Sequence, residues 1–125
     1  MNIRQIILLI AAIGLLPIAF SYGLMPQVSL NYLFGISVSE INDIHIFRAV
    51  MGLYVAFSLF WFAGAFKIHI RQAALYSLVV FMLGLAAGRS LSMVIDGVPH
   101  WLLVVYLALE LGIGILGMLM LKKSD

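Results

Sequence analysis

The stretch AAGRSLSMVIDG, residues 86–97, decides how the whole chain is read. It belongs to one of the most apolar regions of an apolar chain, yet Arg89 stands in its middle with no acidic residue beside it before Asp96. If the stretch ends a membrane-spanning helix, the arginine lies within the bilayer and needs a partner. Composition places it there. The protein has 125 residues, 65% of them hydrophobic and 10% charged, and a mean hydropathy of +1.18. A soluble domain is usually about half apolar and about a quarter charged. So short a chain buries only a small core, and in water much of its apolar surface would stay exposed. The solvent must be mostly lipid.

Working outward, a spanning helix needs roughly 20 mostly apolar residues, and four segments qualify. They predict one membrane domain over residues 1–125, with helices at about 5–24, 44–66, 72–95 and 101–121. Pro17 falls inside the first and removes a backbone donor there, which predicts a kink. The connections are an outer loop at 25–43, a short loop at 67–71, and DGVPH at 96–100, whose Gly and Pro signal a tight turn. Arg4, Lys67, Arg71, Lys122 and Lys123 all fall on one side of such a chain, while the loops of the other side hold neither lysine nor arginine. The expectation is an all-α, antiparallel four-transmembrane-helix bundle in the bacterial inner membrane with both termini cytoplasmic. Tyr22, Tyr32 and Trp101 then lie near the outer boundary and Trp61 near the inner one. Residues 1–21 also have the basic start and apolar run of a secretion signal, but the run is long for one, and a retained helix is expected.

Residues 25–43 are too apolar for a loose linker. Leu30, Leu33 and Phe34 suggest a short segment in the outer interface or folded over the bundle. SEIND at 39–43 reads as a helix start with Ser39 or Asn42 as cap.

Depth turns the isolated arginine into a set. At about 1.5 Å per residue, Arg48 lies roughly 7 Å below the outer end of its helix, Arg89 roughly 10 Å and Glu110 roughly 13 Å. A lone charge at the bilayer centre costs at least about 2.5–3.5 kcal/mol. Arg89 and Glu110 are therefore expected to pair inside the bundle, with Arg48 near enough to share the carboxylate. Tyr106, Glu110 and Gly114 lie on one helix face, as do Arg48, Gly52 and Ala56, and Arg89 with Ser92 and Asp96. The plain alternative is architectural: an Arg–Glu pair that fixes helix neighbours, or arginines that snorkel to headgroups. Gly84 and Gly88 form a GxxxG, explained equally by a partner helix and by packing within the monomer.

Other chemistry is largely excluded. Without cysteine there is no disulfide, thiolate metal site or thiol redox function. The net charge of +2 comes with no basic run suited to nucleic acid. Asp43 and His45 form an unspecific DxH, and with Glu40, Asp96 and His100 they read as a solvated rim. His69 in KIHIR reads as a headgroup contact, and the 7 methionines as packing. No phosphate loop, dinucleotide fingerprint, zinc-protease motif or serine-nucleophile motif is present. Neither an enzyme nor a resident cofactor is expected.

The runs IFRAVMGLY at 46–54, FMLGLAAGRSLSMVIDGVP at 81–99 and YLALELGIGI at 106–115 resemble a family of small four-helix bacterial membrane proteins known as a domain of unknown function. The likeness covers helices 2 to 4 and rests on Arg48, Gly52, Gly88, Arg89, Asp96, Gly97 and Glu110. More distantly, the architecture is similar to the DoxX-like group, some of whose members are associated with quinone-linked respiratory complexes. The first functional expectation is a polar pocket open to the outer side, formed by Arg48, Arg89 and Glu110 with Tyr54, Tyr106 and Asp96. It would bind a membrane lipid, a quinone or a small anion. The second is an accessory subunit or assembly factor with a membrane-complex partner, or a homo-oligomer. The third is a small transporter.

Overall fold

The computed structural model describes all 125 residues and is entirely helical. Five helices follow in order: α1 (Ile3–Gly23), α2 (Pro26–Phe34), α3 (Ile41–Phe66), α4 (Ile68–Ile95) and α5 (Trp101–Leu121). All but α2 are long and apolar enough to cross a membrane. At 21, 26, 28 and 21 residues they reach about 32–42 Å, against a hydrocarbon core of about 30 Å. Ile13, Leu59, Val80, Leu91, Ile115 and Leu119 are exposed along these helices, a surface that suits acyl chains and not water.

Helix α1 is the hub. Leu8, Ala11, Ala12, Leu15 and Ala19 recur at helical spacing and are buried against Trp61 and Ala65 of α3 and Ala74, Leu75 and Leu78 of α4. Alanines on this stripe let the helix axes approach. Contacts pair rising positions of α1 with falling positions of α3. Gln5 Nε2 donates to Ala65 O (2.9 Å), Ser58 Oγ to Ala12 O (2.5 Å), and Arg48 Nη1 to Gly23 O (3.0 Å). The helix runs unbroken through Pro17. Its start is fixed by a capping box in which Asn2 and Gln5 exchange hydrogen bonds of 2.9 and 3.0 Å.

Helices α3 and α4 are separated by Lys67 alone, so the expected loop at 67–71 is mostly the first turn of α4. Gly64 lies against Ala74 too tightly for any side chain, which is how so abrupt a reversal packs. Helix α5 packs mainly on α4 through a narrow stripe of Glu110, Gly114, Gly117 and Met120. A Cβ on Gly114 would stand 2.6 Å from Leu83 Cδ2, and one on Gly117 2.8 Å from Leu78 Cδ2. Gly84 and Gly88 have nothing within 4 Å of such a Cβ, so packing inside the monomer does not explain the GxxxG.

The segment expected to be an outer loop contains α2, whose Leu30 is fully buried. Gly35 ends it at φ +70°, with its N–H on Asn31 O and that of Ile36 on Leu30 O, a left-handed cap that glycine enters without steric cost. Phe34 then stacks edge-on to His100 and Tyr106, with ring centroids 5.7 and 6.3 Å apart. Helix α3 begins at Ile41, and its N-cap is Glu40 without a side-chain bond. Neither Ser39 nor Asn42 caps it. Trp61 also departs from expectation. It is fully buried and donates to Ser77 Oγ at 2.9 Å, a core position in place of a membrane belt, because α1 and α4 both cover its face of α3.

Candidate intramembrane site

The expected ion pair forms between α4 and α5. Arg89 Nε donates to both oxygens of Glu110, at 2.9 and 3.0 Å. The Glu110 side chain is 9% exposed and that of Arg89 21%. The guanidinium carbon also lies 5.6 Å from the centre of the Tyr106 ring, within cation–π range. One nitrogen serves the whole carboxylate. The terminal nitrogens of Arg89 make no hydrogen bond within the chain.

Beside the pair is a cavity of about 70 Å³ to which all four long helices contribute. Arg89, Glu110, Tyr54 and Tyr106 supply its polar groups, while Ala11, Leu15, Met82 and Ile113 make most of the rest apolar. Gly14 of α1 and Leu109 of α5 line it and are themselves exposed, so its open side faces the surroundings of the bundle between those helices. Tyr54 is held by edge-on rings, Tyr22 at 5.7 Å and Phe81 at 5.1 Å. Burying a polar pair beside so many apolar atoms demands mutual satisfaction, and Arg89 supplies it to Glu110 from the neighbouring helix, while Tyr106, one turn from Glu110 on α5, sets its ring beside the guanidinium.

Two of the six expected site residues lie elsewhere. Arg48 does not share the carboxylate. It donates to Gly23 O at 3.0 Å and Leu24 O at 3.3 Å, the free carbonyls at the end of α1, where a cation also meets the negative end of the helix dipole. The reason is topological: α1 ends beside Arg48 and intercepts it. Asp96 is exposed at the C-cap of α4 and accepts from Ser92 Oγ at 2.7 Å. The cavity's ion pair is therefore neutral, without the surplus positive charge expected of two arginines and one glutamate. Tyr22, read in the sequence only as a boundary aromatic, does not line the cavity but packs edge-on against Tyr54.

At the opposite end of the bundle lies a second polar cluster that the sequence did not signal. Arg4 and Arg71, expected as loop or flank charges, are 6% and 5% exposed. Both pair with the carboxylate of Asp125, Arg4 Nη1 at 2.8 Å from Oδ1 and Arg71 Nη1 on Oδ2. Desolvation would raise the Asp125 pKa, but hydrogen bonds from Arg71 and Arg4, and then their charges, hold the carboxyl below the usual carboxylate range. No three histidine or acidic side chains converge at any point in the chain.

Fold and site together define a class: a multi-pass helical membrane protein with an ion pair and a small cavity among its spans. Within it, the chain belongs to the DUF4345 family, a domain of unknown function, whose model matches residues 3–121. The match takes in α1 as well as the three helices that carried the resemblance. No curated protein and no solved structure is similar enough to count as a match.

Proposed function

We propose that this protein is a non-enzymatic binding protein of the bacterial inner membrane. It is an antiparallel four-span bundle with cytoplasmic termini, and it takes the polar end of a membrane amphiphile into the Arg89–Glu110 cavity. The observation that carries this reading is the convergence of Arg89, Glu110, Tyr54 and Tyr106 on one cavity shared by all four long helices. Orientation rests on the five basic residues at one end of the bundle, which puts the cavity toward the outer leaflet. Because Glu110 neutralises Arg89 and Arg48 is elsewhere, a free small anion is less favoured than a neutral or zwitterionic amphiphile. The terminal nitrogens of Arg89 and the Tyr54 and Tyr106 hydroxyls suit a carbonyl or ester oxygen. A volume of about 70 Å³ is roughly half that of a dry cavity that admits benzene. It suits the oxygen-bearing end of a lipid or the edge of a quinone ring, with the tail left between α1 and α5.

The test is native mass spectrometry of protein extracted in mild detergent, with Arg89→Gln beside the wild type. A bound amphiphile present in the wild type and lost from the variant supports the reading. Equal retention by both, or no bound species in either, removes it.

A second reading, an accessory subunit or homo-oligomer, is favoured by one observation: Gly84 and Gly88 expose a smooth strip of α4 that the monomer leaves unused. Gly84→Leu with Gly88→Leu should then dissociate a complex that the wild type retains. A wild type that is monomeric and without partners in gentle extraction counts against it.

A further inference from the structure

The cluster around Asp125 is built like an anion site that the chain fills with its own carboxylate. Arg71 is fixed from behind, Nε on Gly64 O at 3.0 Å and Nη2 on Ala65 O at 2.9 Å, so its Nη1 is aimed. Arg4 reaches the same carboxylate from α1 and also bonds Gln72 Oε1. Gln72 Nε2 in turn donates to Leu121 O at 3.2 Å, closing the end of α5 onto α4. Each Asp125 side-chain oxygen thus serves a different arginine.

One feature fits a single carboxylate poorly. Both arginines are more than nine-tenths buried, yet one donor between them is unused. Arg4 Nε is buried with no hydrogen-bond partner, which costs free energy comparable to a lost hydrogen bond. A phosphate offers the paired anionic oxygens of a carboxylate and further oxygens for such a donor, and arginine's planar fork suits it. The cluster sits where α1 and α4 begin and α5 ends, the level at which headgroups meet a spanning bundle. Asp125 arrives on a non-helical segment after α5, next to the exposed Lys122 and Lys123. That segment contributes no buried apolar side chain to hold it in place.

We infer that Arg4 and Arg71, with Gln72, form a phosphate-binding site in which Asp125 is an internal counter-ion that a phospholipid phosphate displaces. The site is independent of the Arg89 cavity, at the other end of the bundle.

The experiment uses the full chain in nanodiscs of equal parts phosphatidylglycerol and phosphatidylcholine, reading the ratio of the two lipids retained on native ejection. Asp125→Asn removes the competing side-chain carboxylate and should raise the preference for phosphatidylglycerol about tenfold, the worth of one charge-assisted hydrogen bond. Adding Arg71→Gln should abolish that gain, and Lys122→Gln with Lys123→Gln should leave it. If inorganic phosphate raises the melting temperature of Asp125→Asn protein in pure phosphatidylcholine, the same site also takes soluble phosphate. An unchanged lipid ratio in Asp125→Asn, or a gain lost with the lysines and kept without Arg71, overturns the assignment. A variant that melts early in phosphatidylcholine stays informative, because recovery on adding phosphatidylglycerol supports the site and failure to recover refutes it.

Discussion

Replacing Glu110 by Gln isolates the ion pair with the least change of shape. At the observed 2.9 Å, two unit charges attract by about 6 kcal/mol at an effective dielectric near 20. Desolvation of both partners takes back a large part of that. Removing one partner of a buried pair usually costs about 3–5 kcal/mol, but the Arg89 side chain is 21% exposed and can partly relax toward headgroups. The expected loss for Glu110→Gln is therefore about 2–3 kcal/mol, with a similar loss for Arg89→Gln. The double variant should lose little more than either single one, a coupling of about 2 kcal/mol. Reversible unfolding in mixed micelles, followed by far-ultraviolet circular dichroism over a denaturing-detergent series, gives all three values. Additive losses, with coupling below about 0.5 kcal/mol, would refute the claim that this pair holds α4 against α5 at membrane depth.

Arg48→Gln should cost only about 1 kcal/mol, because its partners are two carbonyls at an exposed helix end; the same assay should find it additive with Glu110→Gln. Gly64→Ala forces a methyl group into Ala74 and should cost about 1–3 kcal/mol. Gly84→Ala and Gly88→Ala meet nothing and should be neutral or stabilising by up to about 1 kcal/mol in the monomer; a large loss at either would show that a partner covers them. The Asp125 carboxyl has a lowered pKa in the folded protein, so below its ordinary value of 3.8 the unfolded chain binds the proton first. The Arg4–Asp125–Arg71 contribution should be fully present above that value and fade as pH falls further through the folded pKa. An acid titration of the melting temperature checks this, with Asp125→Asn expected to flatten that part of the curve.

The residues at which sequence and structure part company share a cause. Arg89 and Glu110 were legible as a pair because lipid penalises lone charges and helix rise converts sequence distance into depth. Tyr106 followed from its place one turn from Glu110, and Tyr54 lay six residues beyond Arg48 on a helix already recognised. Arg48 misled because depth says nothing about direction around an axis, and the end of α1 stood nearer than Glu110. Arg4 and Arg71 were read correctly as sharing one side of the chain, but their shared partner is Asp125, more than fifty residues from either. Helix α2 was half visible: Leu30 and Phe34 marked a segment that folds over the bundle, while its helical turn and its Gly35 cap emerged only with the neighbours it covers.

By itself, then, the sequence determined the solvent, the number of spans, the basic asymmetry and the need for a charge pair, all of which follow from transfer free energies added along one chain. Only the tertiary structure decided which helix faces meet, that the cavity's ion pair is neutral, that Gly84 and Gly88 are left bare, and that an Arg4–Asp125–Arg71 cluster closes the far end. Those outcomes depend on rotation about helix axes and on contacts between residues far apart in sequence, and hydropathy carries no information about either.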